Sequence, residues 1–317
     1  MKEQLRQTTG TVVMIRPDAF GFNPETASSN VFQHVPDASA DRVQHAAMDE
    51  FEDTVGTLGY HGIRALVIPS RHDVVTPDAV FPNNWFSHHE HGNGHTNGKL
   101  VIYPMLAPNR RAERQTQSLE GSLVQVGIND IQVQDFSYLE NEGKYLEGTG
   151  SIVLDRKRKV AFAMESPRTN KKAFDKWAKE TGHEGVFFHA YDKNKLPIYH
   201  TNVLMGIGDG FSVICLDAIP NFFERRSVAH KLEQLGKEII PITVEQMNNF
   251  CGNVIELRSH NGEPKVIMSN TAMNSFRSDQ LDALSNYADI VPVNIPTIET
   301  IGGGSARCMI AEVFPKT

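Results

Sequence analysis

The feature that most constrains this chain is a recurrence of short apolar runs, rich in β-branched residues, interleaved with helical stretches. Eight runs stand out: residues 11–15 (TVVMI), 64–68 (RALVI), 151–154 (SIVL), 159–164 (KVAFAM), 211–216 (FSVICL), 253–257 (NVIEL), 265–268 (KVIM) and 309–314 (MIAEVF). Their brevity and β-branched content favour strands over helices. Between them lie helical candidates at residues 40–59, 110–127, 170–180, 222–236 and 278–287. Asp41 and Ser278 are placed to cap their helices, and Gly59 and Gly236 to end theirs. Helices alternating with pairs of strands predict about five αβ units and an α/β fold class. The units share no sequence identity, so a repeat is an architectural inference.

No Pro- or Ser-rich linker divides the 317 residues, and the expectation is one domain over 1–317. The run Arg156-Lys157-Arg158-Lys159 has the form of a solvated turn between two strands. Residues 89–98, with Gly92, Asn93, Gly94, Asn97 and Gly98, read as a loop or hairpin tip. Against 31 basic residues stand 38 acidic ones, a formal charge of −7. That balance argues against a nucleic-acid surface, which concentrates Lys and Arg. No apolar run approaches the roughly 18 residues of a membrane span, and the start, Met1-Lys2-Glu3-Gln4-Leu5-Arg6, has no signal-peptide core. Three scattered cysteines, Cys215, Cys251 and Cys308, do not make a disulfide framework. A cytoplasmic protein with reduced thiols is expected.

Several constellations can carry chemistry. Gly302-Gly303-Gly304 precedes Arg307-Cys308, where glycines let backbone approach a ligand and a nearby cation favours a reactive thiolate. A tight loop before a buried cysteine reads equally well. Cys215, inside an apolar strand, and Cys251, ahead of Gly252, read as small buried side chains, although Asn248, Asn249 and Asn253 surround the latter. In Tyr199-His200-Thr201-Asn202, a histidine and an amide two residues apart share one face of an extended strand, as a proton shuttle beside a substrate-binding amide requires. A structural histidine is the competing reading. Tyr145-Leu146-Glu147-Gly148-Thr149-Gly150 sets a carboxylate among glycines at a strand entrance. Phe81-Pro82-Asn83-Asn84-Trp85-Phe86-Ser87-His88-His89-Glu90-His91, with His95 close by, holds a histidine cluster. His88 and His89 point to opposite faces of a strand, so a turn presenting a strand to a pocket is preferred to a metal site.

Together these segments resemble the amidinotransferase and arginine deiminase superfamily, the penteins or guanidine-modifying enzymes. The resemblance rests on Pro82-Asn83, Leu146-Glu147-Gly148, Ser166-Pro167-Arg168-Thr169, the His200 segment and Gly302-Gly303-Gly304 ahead of Cys308, in the family's order over most of the chain. Arg16-Pro17, Phe22-Asn23 and Phe81-Pro82-Asn83-Asn84-Trp85-Phe86 bring it nearest the branch described as citrulline-utilisation hydrolases. The resemblance implies a five-bladed α/β propeller of ββαβ units with pseudo-fivefold symmetry around a central channel. It implies Cys308 as nucleophile, His200 as general acid/base and Glu147 as the carboxylate that polarises the substrate's nitrogen end. Arg168 would hold the substrate's α-carboxylate, with Asn83, Asn84 and Gly304 lining the site. No metal, nucleotide or organic cofactor is implied.

Two departures set the expected substrate. Where arginine deiminases carry an aspartate that clamps guanidinium, the count from Pro82 falls on His89, and their His-x-Asp is His200-Thr201-Asn202 here. A guanidinium wants carboxylates, whereas a neutral ureido group wants mixed donors and acceptors. The expectation is therefore a cysteine-dependent C–N hydrolase converting citrulline to ornithine, carbon dioxide and ammonia. The alternatives are a guanidino deiminase acting on arginine or methylarginine, an amidinotransferase and a non-enzymatic binding protein. The expected partner is a small ureido or guanidino amino acid, with neither nucleic acid nor membrane, and a homo-oligomer is compatible.

Overall fold

In the computed structural model, which describes residues 5–90 and 98–316, the strands fall into five three-stranded sheets. Four units follow one another along the chain. The first holds β3 (Phe86–His89), β4 (Lys99–Ile102), α2 (Thr116–Val124) and β5 (Gln132–Asp135). The next runs β6 (Val153–Asp155), β7 (Val160–Met164), α3 (Lys171–Thr181) and β8 (Glu184–Phe188). Then come β9 (Met205–Ile207), β10 (Phe211–Ile214), α4 (Phe222–Gln234) and β11 (Glu238–Pro241). After these lie β12 (Ile255–Arg258), β13 (Pro264–Ser269), α5 (Ser278–Ser285) and β14 (Asp289–Val293). The fifth unit joins the two ends of the chain: β15 (Ala311–Val313) pairs with β1 (Thr11–Arg16), which leads through α1 (Ala40–Tyr60) to β2 (Arg64–Pro69).

Every unit has the same grammar. Its first and second strands are antiparallel, and its second and third are parallel. Parallel partners need a crossover, which the helix supplies. The middle strands are almost wholly buried, β7 throughout its length, and so are apolar on both faces. The third strands alternate: β14 runs exposed, intermediate, buried, exposed, buried, the period of a half-solvated edge. Each helix turns one stripe inward. In α1 the buried positions are Val43, Ala47, Phe51, Thr54 and Leu58, and in α3 they are Ala173, Phe174, Trp177 and Ala178, the spacing of one helical face.

The units close on one another. β15 packs beside β3, β6 beside β9, and β9 beside β12. Val101 of β4 shares a core with Leu154 and Ala161 of the following unit, and Arg258 N donates to Thr9 O (2.9 Å) to complete the circuit. The first strands thus face the axis, and the segments that lead into them converge. This is the α/β fold of five ββαβ units that the strand pairs imply.

Local details differ from the sequence reading. The N-cap of α1 is Ser39, with Asp41 in the first turn, and that of α5 is Arg277, with Ser278 one place in. α1 runs past Gly59, and Gly62 takes the left-handed conformation (φ 73°); Gly236 does so after α4 (φ 69°). The stretch 110–127 divides into a short turn, Pro108–Arg111, and α2, and the Arg110 side chain is buried. The basic run 156–159 does link β6 to β7, but Arg156 is buried and paired with Glu312 (Nη2–Oε2 3.1 Å), not solvated. Of the glycine-rich loop and histidine cluster, Gly92, Asn93, Gly94, Asn97, His91 and His95 lie outside the described residues. Among the described residues no helix is long and apolar enough to cross a membrane.

Candidate active site

Four segments that lead into first strands converge around one cavity. Pro82–Asn84 forms a 3-10 turn before β3, Gly148–Ser151 a helical turn before β6, Thr201–Leu204 another before β9, and Gly302–Cys308 leads to β15. The cavity, about 240 Å³, is lined by Asn84, Arg168, Tyr199, His200, Gly302, Gly303, Gly304 and Cys308, together with Asn30, Asp78, Phe81 and Arg110. Glycine is required at several walls. A Cβ on Gly150 would stand 2.3 Å from Asn84 Nδ2, and one on Gly304 would stand 2.9 Å from the Phe81 ring.

His200 is not in an extended strand with Asn202, since residues 201–204 coil into the turn. The turn nevertheless aims both at the site. His200 Nε2 lies 2.9 Å from Glu147 Oε2, and Glu147 Oε1 accepts from the Leu106 backbone N–H at 3.0 Å. Burial opposes ionisation of Glu147, but Arg168 (Nη1–Oε2 3.6 Å), the His200 hydrogen bond and Arg110 outweigh it and bring the carboxyl down to about 2. Burial holds His200 down at about 4, against the pull of Glu147. At neutral pH the pair is a carboxylate beside a neutral imidazole. Arg168 stacks on Tyr199 (5.1 Å to the ring centre) and donates to Ser29 Oγ and Thr26 O. Cys308 Sγ accepts from two side-chain amides, Asn202 Nδ2 at 3.4 Å and Asn253 Nδ2 at 3.3 Å.

His89 is a correction. It does not reach this cavity: Nε2 bonds Ser87 Oγ (2.7 Å), the ring lies 6.0 Å from Trp177 and 5.6 Å from His183, and it lines a separate cavity with Arg6, Lys99 and Arg156. The reason is register, because β3 carries residue 89 to its far end, away from the turn at 82–84. Asn83 is buried beside the site without lining it, and its side-chain N and O have no hydrogen-bond partner. Asn84 lines the cavity, gives Oδ1 to Arg110 Nη1 (2.7 Å) and leaves Nδ2 unpartnered.

Sequence reasoning missed three groups here. Asp78 is buried and lines the cavity; Oδ2 accepts from Asn23 Nδ2 and Thr26 Oγ1, while Oδ1 has no partner. Its position four residues ahead of Pro82 was the available signal. Arg110, buried and paired with Glu113 (2.8 Å), looks like any surface helix arginine in sequence. Desolvation pushes Glu113 up to about 7, with Arg110 opposing. Asn253 stands two residues ahead of β12. Among the described residues, no group of three or more His, Cys, Asp or Glu is placed to hold a metal ion.

Comparison with solved structures agrees with this architecture. The N-terminal domain of ArgZ, an arginine dihydrolase from the ornithine–ammonia cycle in cyanobacteria, bound to product, superposes with a TM-score of 0.72 at 14% identity, covering 98% of each chain. AgrE, as a cysteine-to-alanine variant with L-arginine, gives 0.71 at 16% identity over 96% of this chain and 40% of the longer AgrE chain. A dimethylarginine hydrolase (DDAH) from Pseudomonas aeruginosa, a cysteine-to-serine variant complexed with citrulline, gives 0.63 at 14% identity, covering 96% and 99%. No curated protein matches the chain in sequence. The fold is that of the pentein, guanidine-modifying superfamily. Within it, residues 16–315 match the model of the eukaryotic N,N-dimethylarginine dimethylhydrolases, and the chain belongs to that family of C–N hydrolases.

Proposed function

We propose that the protein is a cysteine-dependent hydrolase of an amino acid ending in a guanidino group, arginine or an N-methylated arginine. The observation that carries this is Asp78. Asp78 is the carboxylate that lines the cavity; its Oδ2 faces Arg110 Nε at 3.8 Å, its Oδ1 is unpartnered, and such an oxygen is stabilised by N–H donors of a cation. With His89 elsewhere, half of the argument for a neutral ureido substrate falls away. The family and the arginine-bound neighbour support the same direction.

In this reading the neutral His200 takes the proton of the Cys308 thiol, and the thiolate attacks the guanidinium carbon. Glu147 holds the terminal nitrogens. The C–N bond to the departing amine breaks as His200 returns its proton to that nitrogen, releasing ammonia or a methylamine and leaving an S-alkylthiouronium on Cys308. Water then adds to the same carbon with His200 as base. The C–S bond breaks, the ureido product departs, and the proton returns to sulfur. The Arg168 guanidinium, which lines the cavity, supplies the positive charge for the α-carboxylate.

The ureido reading keeps two supporting features: Asn202 stands where related enzymes carry aspartate, and the unpartnered Asn84 Nδ2 is a donor suited to a ureido oxygen. The deciding experiment compares kcat/KM for arginine, N-methylarginines and citrulline in wild type and Asp78→Asn. Guanidino substrates should be preferred by the wild type and lose about a hundredfold or more in the variant, as removal of one buried partner of a cation implies, with citrulline much less affected. Wild-type preference for citrulline, or an equal loss for both classes, would overturn the guanidino assignment. Equal losses would place the α-ammonium, common to both, on Asp78.

A further inference from the structure

We infer that Asn253 holds the Cys308 sulfur in place and stabilises the thiolate formed when its proton leaves, a positioning role separate from substrate recognition. It rests on Cys308 being the nucleophile but not on which substrate is used. Asn253 is wholly buried, and its amide is oriented by partners that allow one arrangement. Oδ1 accepts from the Arg307 backbone N–H at 3.0 Å, and that N–H can only donate. Nδ2 donates to the Asn202 backbone carbonyl at 3.0 Å, and that carbonyl can only accept. The amide cannot flip without losing both bonds. Its remaining N–H therefore faces Cys308 Sγ, 3.3 Å away.

As a thiol, Sγ can donate to Asn253 Oδ1 at 3.7 Å, an oxygen with a second lone pair beside the one that Arg307 uses. As a thiolate, it accepts from Asn253 Nδ2 and also from Asn202 Nδ2 at 3.4 Å. Two amide N–H groups in a buried setting favour sulfur carrying negative charge, since hydrogen bonds to a charged acceptor are about twice as strong as neutral ones. One side chain thereby ties three loops together: its own ahead of β12, the Asn202 turn ahead of β9, and the backbone beside the nucleophile ahead of β15. Asn253 sits two residues before its unit's first strand, as Asn84 does before β3, so the pseudo-fivefold repeat offers the same place for an inward-pointing amide.

The test is the rate of alkylation by iodoacetamide against pH in substrate-free protein, followed by peptide mapping and by thiolate absorbance near 240 nm. Wild type should label Cys308 well ahead of Cys215 and Cys251. In Asn253→Ala the rise in Cys308 labelling should move to higher pH, cutting the rate at neutral pH about tenfold, the scale of one charged hydrogen bond. Asn253→Asp, nearly isosteric, should move it further, because a carboxylate repels the thiolate. Asn202→Ala, which leaves the Asn253 donor in place, should move it less than Asn253→Ala. If the alanine variant does not fold, Asn253→Ser, whose shorter polar side chain cannot reach the sulfur as the amide does, decides the direction. A pH profile unmoved in a folded Asn253 variant overturns the proposal. Failure of wild type to label Cys308 first would instead overturn the nucleophile assignment, and neither outcome depends on the substrate.

Discussion

The three cysteines share a side chain and differ in what surrounds it. Burial pushes the Cys215 thiol up to about 11 and the Cys251 thiol up to about 12, where Sγ donates weakly to the Ala272 carbonyl at 3.4 Å. Cys308 alone lines the cavity with His200. Cys308→Ala or Cys308→Ser should therefore abolish turnover with little change in Tm, whereas Cys215→Ala should leave turnover within about a factor of two. Full activity in the Cys308→Ala protein, assayed by product release, would sink the covalent route. Arg168 offers a second test at this scale. Its Nε and Nη2 are committed to Ser29 and Thr26, and Nη1 is the group turned towards Glu147. Arg168→Ala should weaken substrates with an α-carboxylate by about 2–4 kcal/mol of kcat/KM and leave agmatine nearly unaffected. Equal effects on both would assign Arg168 to holding Glu147 and the 26–29 segment.

At the scale of elements, the site is made by the short turns that precede first strands, and these tolerate little. Gly148 takes the left-handed conformation (φ 47°), and Gly150 has no room for a Cβ between Asn84 and His200. Gly150→Ala should push the His200 ring or the Asn84 amide aside and reduce kcat by about a hundredfold, since misplacement of a reacting group by an ångström costs on that order. Circular dichroism should remain near native; wild-type kcat would show that the turn yields instead. The outer helices answer to ordinary capping energetics. Asn170 Oδ1 accepts from Lys172 N and Ala173 N at the start of α3, so Asn170→Ala should cost about 1 kcal/mol of unfolding free energy without changing kcat/KM. The sequence signals for these elements were uneven. Middle strands such as β7 and β13 are buried runs and were legible. Edge strands such as β5 (QVQD) are short and mostly exposed, so no apolar pattern marked them.

For the whole molecule, packing five units together buries ionisable groups and makes stability depend on pH. His200 is held by burial at about 4, against about 6.5 in an unfolded chain, and His183 is held at about 3 and His89 well below its usual range, again by burial first. A folded state that refuses protons an unfolded chain accepts loses stability as pH falls below the unfolded value. His200 alone contributes a loss on the order of 3 kcal/mol across pH 6.5 to 4. Glu113, raised to about 7 chiefly by burial, acts the other way: the folded state binds its proton more tightly, and that contribution fades as pH rises from about 4.5 through 7. The histidines together outweigh it, so the urea midpoint should fall between pH 7 and pH 5. His200→Gln should flatten that slope by about one proton. A midpoint that rises on acidification would show that Glu113 and its carboxylate neighbours dominate.

Much of the architecture was legible because it depends on local patterns: paired β-branched runs, amphipathic helices between them, and glycine-rich turns ahead of strands. Those patterns repeat about five times, and the family resemblance, not the count, implied that the units close into a ring. Glu147, His200 and Cys308 sit beside such turns, but it was the family resemblance that singled them out. What the sequence could not supply was proximity across the axis. Asp78 and Arg110 enter the cavity from segments with no motif of their own, and Asn253 touches Cys308 from a different unit, 55 positions away. His89 shows the converse: a one-dimensional count from Pro82 put it at the substrate, but the pleat and direction of β3 carried it to another cavity. Spacing along the chain specifies which face of an element a residue occupies. Which faces meet is set by how the five units pack, and that is where the charge balance of the cavity, and with it the choice between guanidino and ureido substrates, is decided.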